Sequence, residues 1–211
     1  MADQSAIPAT GWVPAWADLQ ERPVEREGTA FVLGNGTGDA GEGQEYVVPW
    51  PGPGVDQIAA TVAGLPEARL TLVCADAGAA EAPADLAQTS LRVLLQAPTA
   101  ELDTGVQLPD NSQVALAPME TYDAVEITVF DRPVARGRIQ VRDDFAAVAI
   151  TELPDGPEGG PFERALFAAM AEEAFLHGAA YLHMVVGPDD AARYEASGWA
   201  VAGHLVGFQK T

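Results

Sequence analysis

Between Phe145 and Trp199 the apolar pattern switches twice between a period of two and a period of 3.6, and that order admits few folds. Phe145-Ala-Ala-Val-Ala-Ile-Thr151, running on to Leu153, reads as a buried strand. Ala165, Leu166, Ala169, Met170, Ala174 and Phe175 then fall on one helical stripe, which His177-Gly178 ends. Tyr181 to Val186 reads as a second short strand. Asp189 to Ser197 reads as a second helix, opened by Pro188-Asp189-Asp190 and closed by Gly198. A strand–helix–strand unit of this length predicts that strands 145–153 and 180–186 are parallel neighbours joined by a right-handed crossover. The breakers Pro154 and Gly187-Pro188 follow the two strands at the same end. The strands are therefore expected to diverge there and leave a cleft.

The second helix carries Tyr194-Glu195-Ala196-Ser197-Gly198-Trp199, and a strand follows at Val201 to Phe208. Tyr-Glu-x-x-Gly-aromatic in this place resembles the GNAT superfamily, the acyl-CoA-dependent N-acetyltransferases. Residues 165–179 resemble that family's long central helix. The resemblance covers roughly residues 113–211. It implies an α/β fold with a mixed, mostly antiparallel sheet, a central parallel strand pair and helices on both faces. It also implies acetyl-CoA as acyl donor and a primary amine, on a small molecule or a peptide, as acceptor.

Three requirements follow from the resemblance. A bent strand must expose backbone groups to the pantetheine arm and the acyl carbonyl, and Glu152 and Leu153 match it. A loop of free amides must meet the pyrophosphate at the start of the long helix. An acid must reprotonate the thiolate, and Tyr194 occupies that position; packing of Tyr194 and Trp199 against the sheet accounts for the same residues equally well. The resemblance places Gly159, Gly160, Phe162 and Arg164 in the cofactor loop. There the sequence departs from the family pattern Gln/Arg-x-x-Gly-x-Gly/Ala. Glu158 stands for the basic or amide residue, Pro161 for a glycine and Glu163 for a small residue. Pro161 removes a donor, and Asp155, Glu158 and Glu163 bring negative charge to a phosphate site. This opens a second reading, a GNAT-fold binding or regulatory module that has lost the cofactor. Glu152 is the first candidate for the base that activates the amine, by direct attack without a covalent intermediate, and Glu126 and Glu120 are alternatives. His183 could face the cleft, although a packed histidine is the commoner case.

Composition excludes other classes. The formal charge of −20 disfavours nucleic-acid and anionic-membrane partners, which need a basic face. Cys74 is the single cysteine, and the three histidines are scattered, so no disulfide or multi-cysteine metal site is expected. The chain has no apolar run of spanning length and opens on Met1-Ala-Asp-Gln-Ser-Ala-Ile-Pro, without a secretory pattern, so a cytoplasmic protein is expected. A homodimer is the commonest symmetric assembly. Arg136, Arg138 and Arg142 share one side of the strand 134–141. Pairing with acids of neighbouring strands is the first reading of this stripe, and a phosphate contact the second.

The domain boundary is placed in the turn-rich segment 98–111, giving an extension over 1–110 and a GNAT-like domain over 111–211. In the extension Gly34-Asn-Gly-Thr-Gly-Asp39 lacks the Lys-Ser/Thr of a phosphate loop and reads as a turn. A helix over 55–66, a strand over 69–74, a helix over 81–88 and a strand over 91–96 follow. This repeats the order of 161–208. Residues 1–110 are thus either an α/β extension on the sheet edge or a degenerate GNAT-like half, packed in both cases on the second half.

Overall fold

The computed structural model describes residues 10–35, 43–102 and 105–210. The glycine-rich turn at 34–39 lies outside these beyond residue 35. Eleven strands form one open sheet in the order β1-β2-β3-β4-β11-β5-β10-β9-β8-β7-β6. In chain order they are β1 (Val24–Glu27), β2 (Ala30–Leu33), β3 (Glu45–Pro49), β4 (Arg69–Cys74), β5 (Leu86–Pro98), β6 (Ser112–Pro118), β7 (Asp123–Val129), β8 (Arg132–Val141), β9 (Phe145–Glu152), β10 (Tyr181–Val186) and β11 (Ala200–Lys210). The helices are α1 (Val13–Leu19), α2 (Val55–Gly64), α3 (Gly159–Leu176) and α4 (Pro188–Glu195). Strands β9 and β10 are parallel, as the crossover demands, and β3 and β4 form a second parallel pair around α2. The remaining pairings are antiparallel.

The sheet order has a pseudo-twofold symmetry. Matching β1–β4 with β7–β10, and β5 with β11, makes it read the same from either end, with β6 added outside. The long strands are exchanged: β5 inserts between β10 and β11, while β11 pairs with β4 as well as β5. Residues on either side of the segment 98–111 therefore share a continuous sheet. The expected helix over 81–88 is absent; a 3₁₀ turn lies at Ala77–Ala79 and β5 begins at Leu86. Pro83 disfavours helical geometry in the residue before it, and Asp85 at φ 64° turns the chain into the strand.

Side-chain alternation assigns the faces. Val93 and Leu95 of β5 join the cluster under α3 and α4, whereas Leu94 points to the other face and joins the cluster under α1. Leu91, on the same side as Val93, packs with the α2 cluster. So α2, α3 and α4 cover one face, and α1 alone covers the other. Helix α1 touches β2 near one end of the sheet and β8 and β9 near the other. The sheet accordingly curls round it. Trp12, Val13, Trp16 and Leu19 contact Leu33 and Val47 of the first half and Phe145 and Ala147 of the second within one cluster.

Buried charge fastens this concave side. Glu45 receives Arg22 at 2.6 Å, Arg92 at 2.7 Å and the Thr71 hydroxyl at 2.6 Å, and Arg92 lies 4.8 Å from the Trp16 ring. Burial opposes ionisation of Glu45, but Arg92, Thr71 and Arg22 outweigh it and hold the carboxyl at about 2. The arginine stripe of β8 faces the same side. Arg136 pairs with Glu126 and Glu152, Arg138 with Glu21 and Arg142 with Asp18. Pairing with acids thus accounts for the whole stripe, although two of the partners come from α1 and its end and not from strands. Among the described residues no helix is long and apolar enough to cross a membrane.

Candidate active-site cleft

Strands β9 and β10 pair over only three residues, Phe145–Ala147 against Tyr181–His183. Beyond Ala147 and His183 they separate, and Val148 to Glu152 and Met184 to Val186 have no partner across the gap. On its other edge β9 bulges. Ile150 faces Gly137 and Glu152 faces Arg136, so Thr151 is the extra residue. A bulge bends its strand and reverses the side-chain alternation beyond it. Ile150 consequently packs in the α3 cluster, while the Glu152 carboxylate crosses to the opposite face and meets Arg136 Nη1 at 3.0 Å. Arg136 Nε also binds Glu126 at 2.8 Å. Glu126, Arg136 and Glu152 form one exposed row beside the opening on the α1 side. Glu120 does not join them. It lies in the β6–β7 turn, next to Asp123, which is in register with Ile139 and through it with Val148, nearer the closed end of β9.

On the other face, α3 and α4 meet directly. Tyr194 is 6% exposed, and its hydroxyl donates to Glu163 Oε1 at 2.7 Å. Arg193 donates to Glu163 Oε2 at 2.6 Å and to the Tyr194 oxygen at 2.9 Å. Burial first, and then the Glu163 carboxylate, push the phenol above its ordinary range. Phe167, Tyr194 and Trp199 stack edge to face behind this clasp, with centroids 5.1–6.3 Å apart. The cavity that remains, lined by Leu102, Arg164, Ser197 and these residues, has about 70 Å³. Glu163 therefore does not sit as a bare charge beside a phosphate site, as the sequence suggests. Arg193 neutralises it, and it closes the groove between the helices instead.

The loop before α3 is tight. A 3₁₀ turn at Gly156–Glu158 runs into α3, and Gly156 takes φ 70°. A side chain at Gly159 would come within 2.6 Å of the Pro154 oxygen, so only glycine allows this approach. The Gly159 amide is spent on the Gly156 carbonyl, and Pro157 and Pro161 have none to offer. Glu158 is exposed without capping the helix. Gly160 is next to the exposed Arg164, whose Nη1 would be 3.7 Å from an added Cβ. Phe162 and Leu153 pack into the core under α3.

These residues fit a CoA thioester in part. The free edges of β9 and β10 can receive the pantetheine amides, and Arg164 with Gly160 can receive a phosphate. The α3–α4 groove does not fit it while the clasp is closed, because pockets for ligands of that size exceed about 300 Å³. His183 is no part of this groove. It is 3% exposed, lies edge-on to Phe145 on the α1 side, and burial lowers its pKa to about 4. Cys74 is buried, and burial raises its thiol. No group of three potential metal ligands occurs among the described residues. Arg193 is the site residue that sequence reasoning missed. Its partner Glu163 is thirty positions away, and no local pattern marks such a contact.

No family model and no curated protein matches the sequence. Solved structures do match. A GCN5-related N-acetyltransferase from Kribbella flavida aligns over 98% of this chain and 96% of its own at 20% identity, with a TM-score of 0.63. A tandem GNAT protein from the clavulanic acid biosynthesis pathway aligns over 99% of this chain and 89% of its own at 11% identity, TM-score 0.59. A GNAT-family acetyltransferase from Novosphingobium aromaticivorans aligns over 94% and 97% at 14%, TM-score 0.55. With the splayed parallel pair, the bulged strand and the Tyr194 helix in place, the chain has the fold of the GNAT superfamily.

Proposed function

We propose that this chain is an acyltransferase, moving an acetyl group from acetyl-CoA to a primary amine by direct attack. The observation that carries this reading is the separation of β10 from β9 beyond Ala147 and His183, with β9 bulged at Thr151 on its other edge, which leaves backbone donors and acceptors where a thioester can lie. Arg164 and Gly160 would hold the diphosphate, with Gly159 permitting the tight approach of the loop to Pro154, and the cofactor would supply the acyl group. The amine would approach from the α1 side, where Glu126 and Glu152 attract a cation and Glu152 accepts a proton from it. Arg136 fixes both carboxylates. Tyr194 would serve as the acid only after giving up Glu163. Residues 1–110 we read as a degenerate GNAT-like half that supplies β5 and whose own parallel pair, β3 with β4, stays closed.

The clasp favours a second reading, a GNAT-fold module that binds no acyl-CoA. Calorimetric titration with acetyl-CoA separates the two. The transferase reading expects saturable binding that tightens in Glu163→Ala, because the clasp then releases α4 from α3. Absence of binding in both proteins, with each still folded by circular dichroism, would sink it in favour of the module.

A further inference from the structure

The two edges of the sheet are built differently. Strand β1 is four residues long, and three of them, Glu25, Arg26 and Glu27, are charged. Short, charged edges resist pairing with another chain. At the other end β6 has seven residues, Ser-Gln-Val-Ala-Leu-Ala-Pro, with no charge in a chain of net −20. No bulge interrupts its register with β7. Val114 and Leu116 are 43% and 40% exposed. They line a groove with Val106, Leu108, Ala169 and Leu176, and Glu172 and Glu173 stand on its α3 side.

The hydrogen-bond phase of β6 fixes which of its backbone groups are free. The Phe130 amide donates to the Asn111 carbonyl at one end of the β6–β7 ladder, and the Met119 amide donates to the Tyr122 carbonyl at the other. Antiparallel ladders alternate, so residues 113, 115 and 117 spend their backbone groups on β7. Residues 112, 114, 116 and 118 point theirs away from the sheet. Of these, the Ser112 amide turns back to the Pro109 carbonyl, and Pro118 has no amide. The amide donors left on the edge are those of Val114 and Leu116.

We infer that β6 is the self-association surface of this protein, pairing antiparallel with β6 of a second copy about a twofold axis at Ala115. In that register Val114 of each copy faces Leu116 of the other. All four amide donors and the four matching carbonyls are used. Ala115 lies opposite Ala115 in the close, non-hydrogen-bonded position, where a methyl group fits and a larger side chain would not. An axis normal to the sheet keeps both Val114–Leu116 pairs on the α3 face, so the two grooves become neighbours. The pairing consumes the edge in both copies and therefore closes at a dimer. It also brings two strongly acidic chains together at a strand that itself carries no charge, with Glu172 and Glu173 of each copy beside it as the repulsion that salt screens.

Sedimentation of the full chain tests this. The expected result at micromolar concentration and about 0.15 M salt is twice the 22.0 kDa of one chain, with the dimer strengthened as salt screens the remaining repulsion. Val114→Lys and Leu116→Lys each place a charge on the edge and should give monomers with unchanged circular dichroism. As a second reading, hydrogen exchange at the Val114 and Leu116 amides should slow at least about tenfold on concentrating the wild type, with Ala115 and Ala117 already protected by β7. A monomer at every concentration, a dimer that both lysine variants retain, or exchange at these two amides that ignores concentration would overturn the inference.

Discussion

The two halves of the molecule contain the same parallel pair around a crossover helix, yet only one of the pairs is open. In the second half β9 and β10 stay together for three residues and part after Ala147 and His183, and β9 then bulges on its β8 edge at Thr151. In the first half β3 and β4 pair over all five residues of β3, and the Trp50 amide continues the ladder onto the Val73 carbonyl. The Trp50 indole then donates to the Ala79 carbonyl at 3.1 Å, on the 3₁₀ turn that stands where the second half has α4. The crossover helices differ as well, 10 residues in α2 against 18 in α3. A parallel pair becomes a binding cleft only when something ends its ladder early. Here one ladder stops at Ala147 and His183, and Trp50 extends the other.

The comparison would break if either half proved able to stand alone. Each half's last strand lies across the other: β10 would lose β5 on one side, and β4 would lose β11. Cutting the chain in the 98–111 segment therefore removes central strands and strips Leu95, Val206 and Phe208 of their cover. Residues 111–211 expressed alone should show no cooperative thermal transition, and neither should 1–110. This is the largest effect expected. A sharp melting curve from either fragment would show that the strand exchange is dispensable.

Acid should sharpen the comparison, since the halves carry different buried titrating groups. His183, in the second half, has a pKa lowered by burial from 6.5 to about 4. A depressed histidine favours folding in its neutral form, so its contribution is complete above pH 6.5 and is lost as the pH falls towards 4. The magnitude is about 3 kcal/mol. Glu45, in the first half, is depressed to about 2, so its contribution is complete above the ordinary carboxyl value of 4.5 and disappears only as the pH falls to about 2. Denaturant titrations at successive pH values should show stability falling in these two windows. His183→Leu should flatten the upper one alone. Glu45→Gln should cost about 3–5 kcal/mol at neutral pH, because Arg22 stays buried without its partner. A stability that is level from pH 6.5 to 4 in the wild type would contradict the burial of His183.

Legibility in the sequence followed the range of the forces. Residues 69–74 and 181–186 were readable as strands to the residue, because continuous apolar runs between breakers carry their own signal. The parallel pairing of β9 with β10 followed from crossover geometry. Strand β1 was illegible, because Val24-Glu-Arg-Glu27 lies on an exposed edge and shows no apolar alternation. The region 81–88, expected as a helix, instead leads into β5, because Pro83 and the left-handed Asp85 break helical geometry there. The exchange of β5 and β11 left no local mark at all. Around the candidate cleft, the place of Tyr194 on α4 was legible from its motif and that of Glu152 at the end of β9 from its strand. The meeting of Glu163 with Arg193 and Tyr194 required the packing of α4 on α3, which no short-range pattern encodes.

The smallest effect distinguishes two roles of one oxygen. Tyr194→Phe deletes a hydroxyl that bridges Glu163 and Arg193 while leaving their direct contact at 2.6 Å in place. The ring keeps its contacts with Phe167 and Trp199. Stability should therefore fall by only about 1 kcal/mol, the net worth of a hydrogen bond whose partner retains another. If the hydroxyl only fastens α4 to α3, weakening the clasp should leave acetyl transfer equal or faster. If it is the proton donor to the departing thiolate, turnover should drop by about tenfold or more while acetyl-CoA affinity stays near that of the wild type. Measuring kcat and calorimetric affinity on the same preparation separates these outcomes. A loss of affinity with kcat preserved would exclude the proton donor and leave Tyr194 as part of the wall of the cleft.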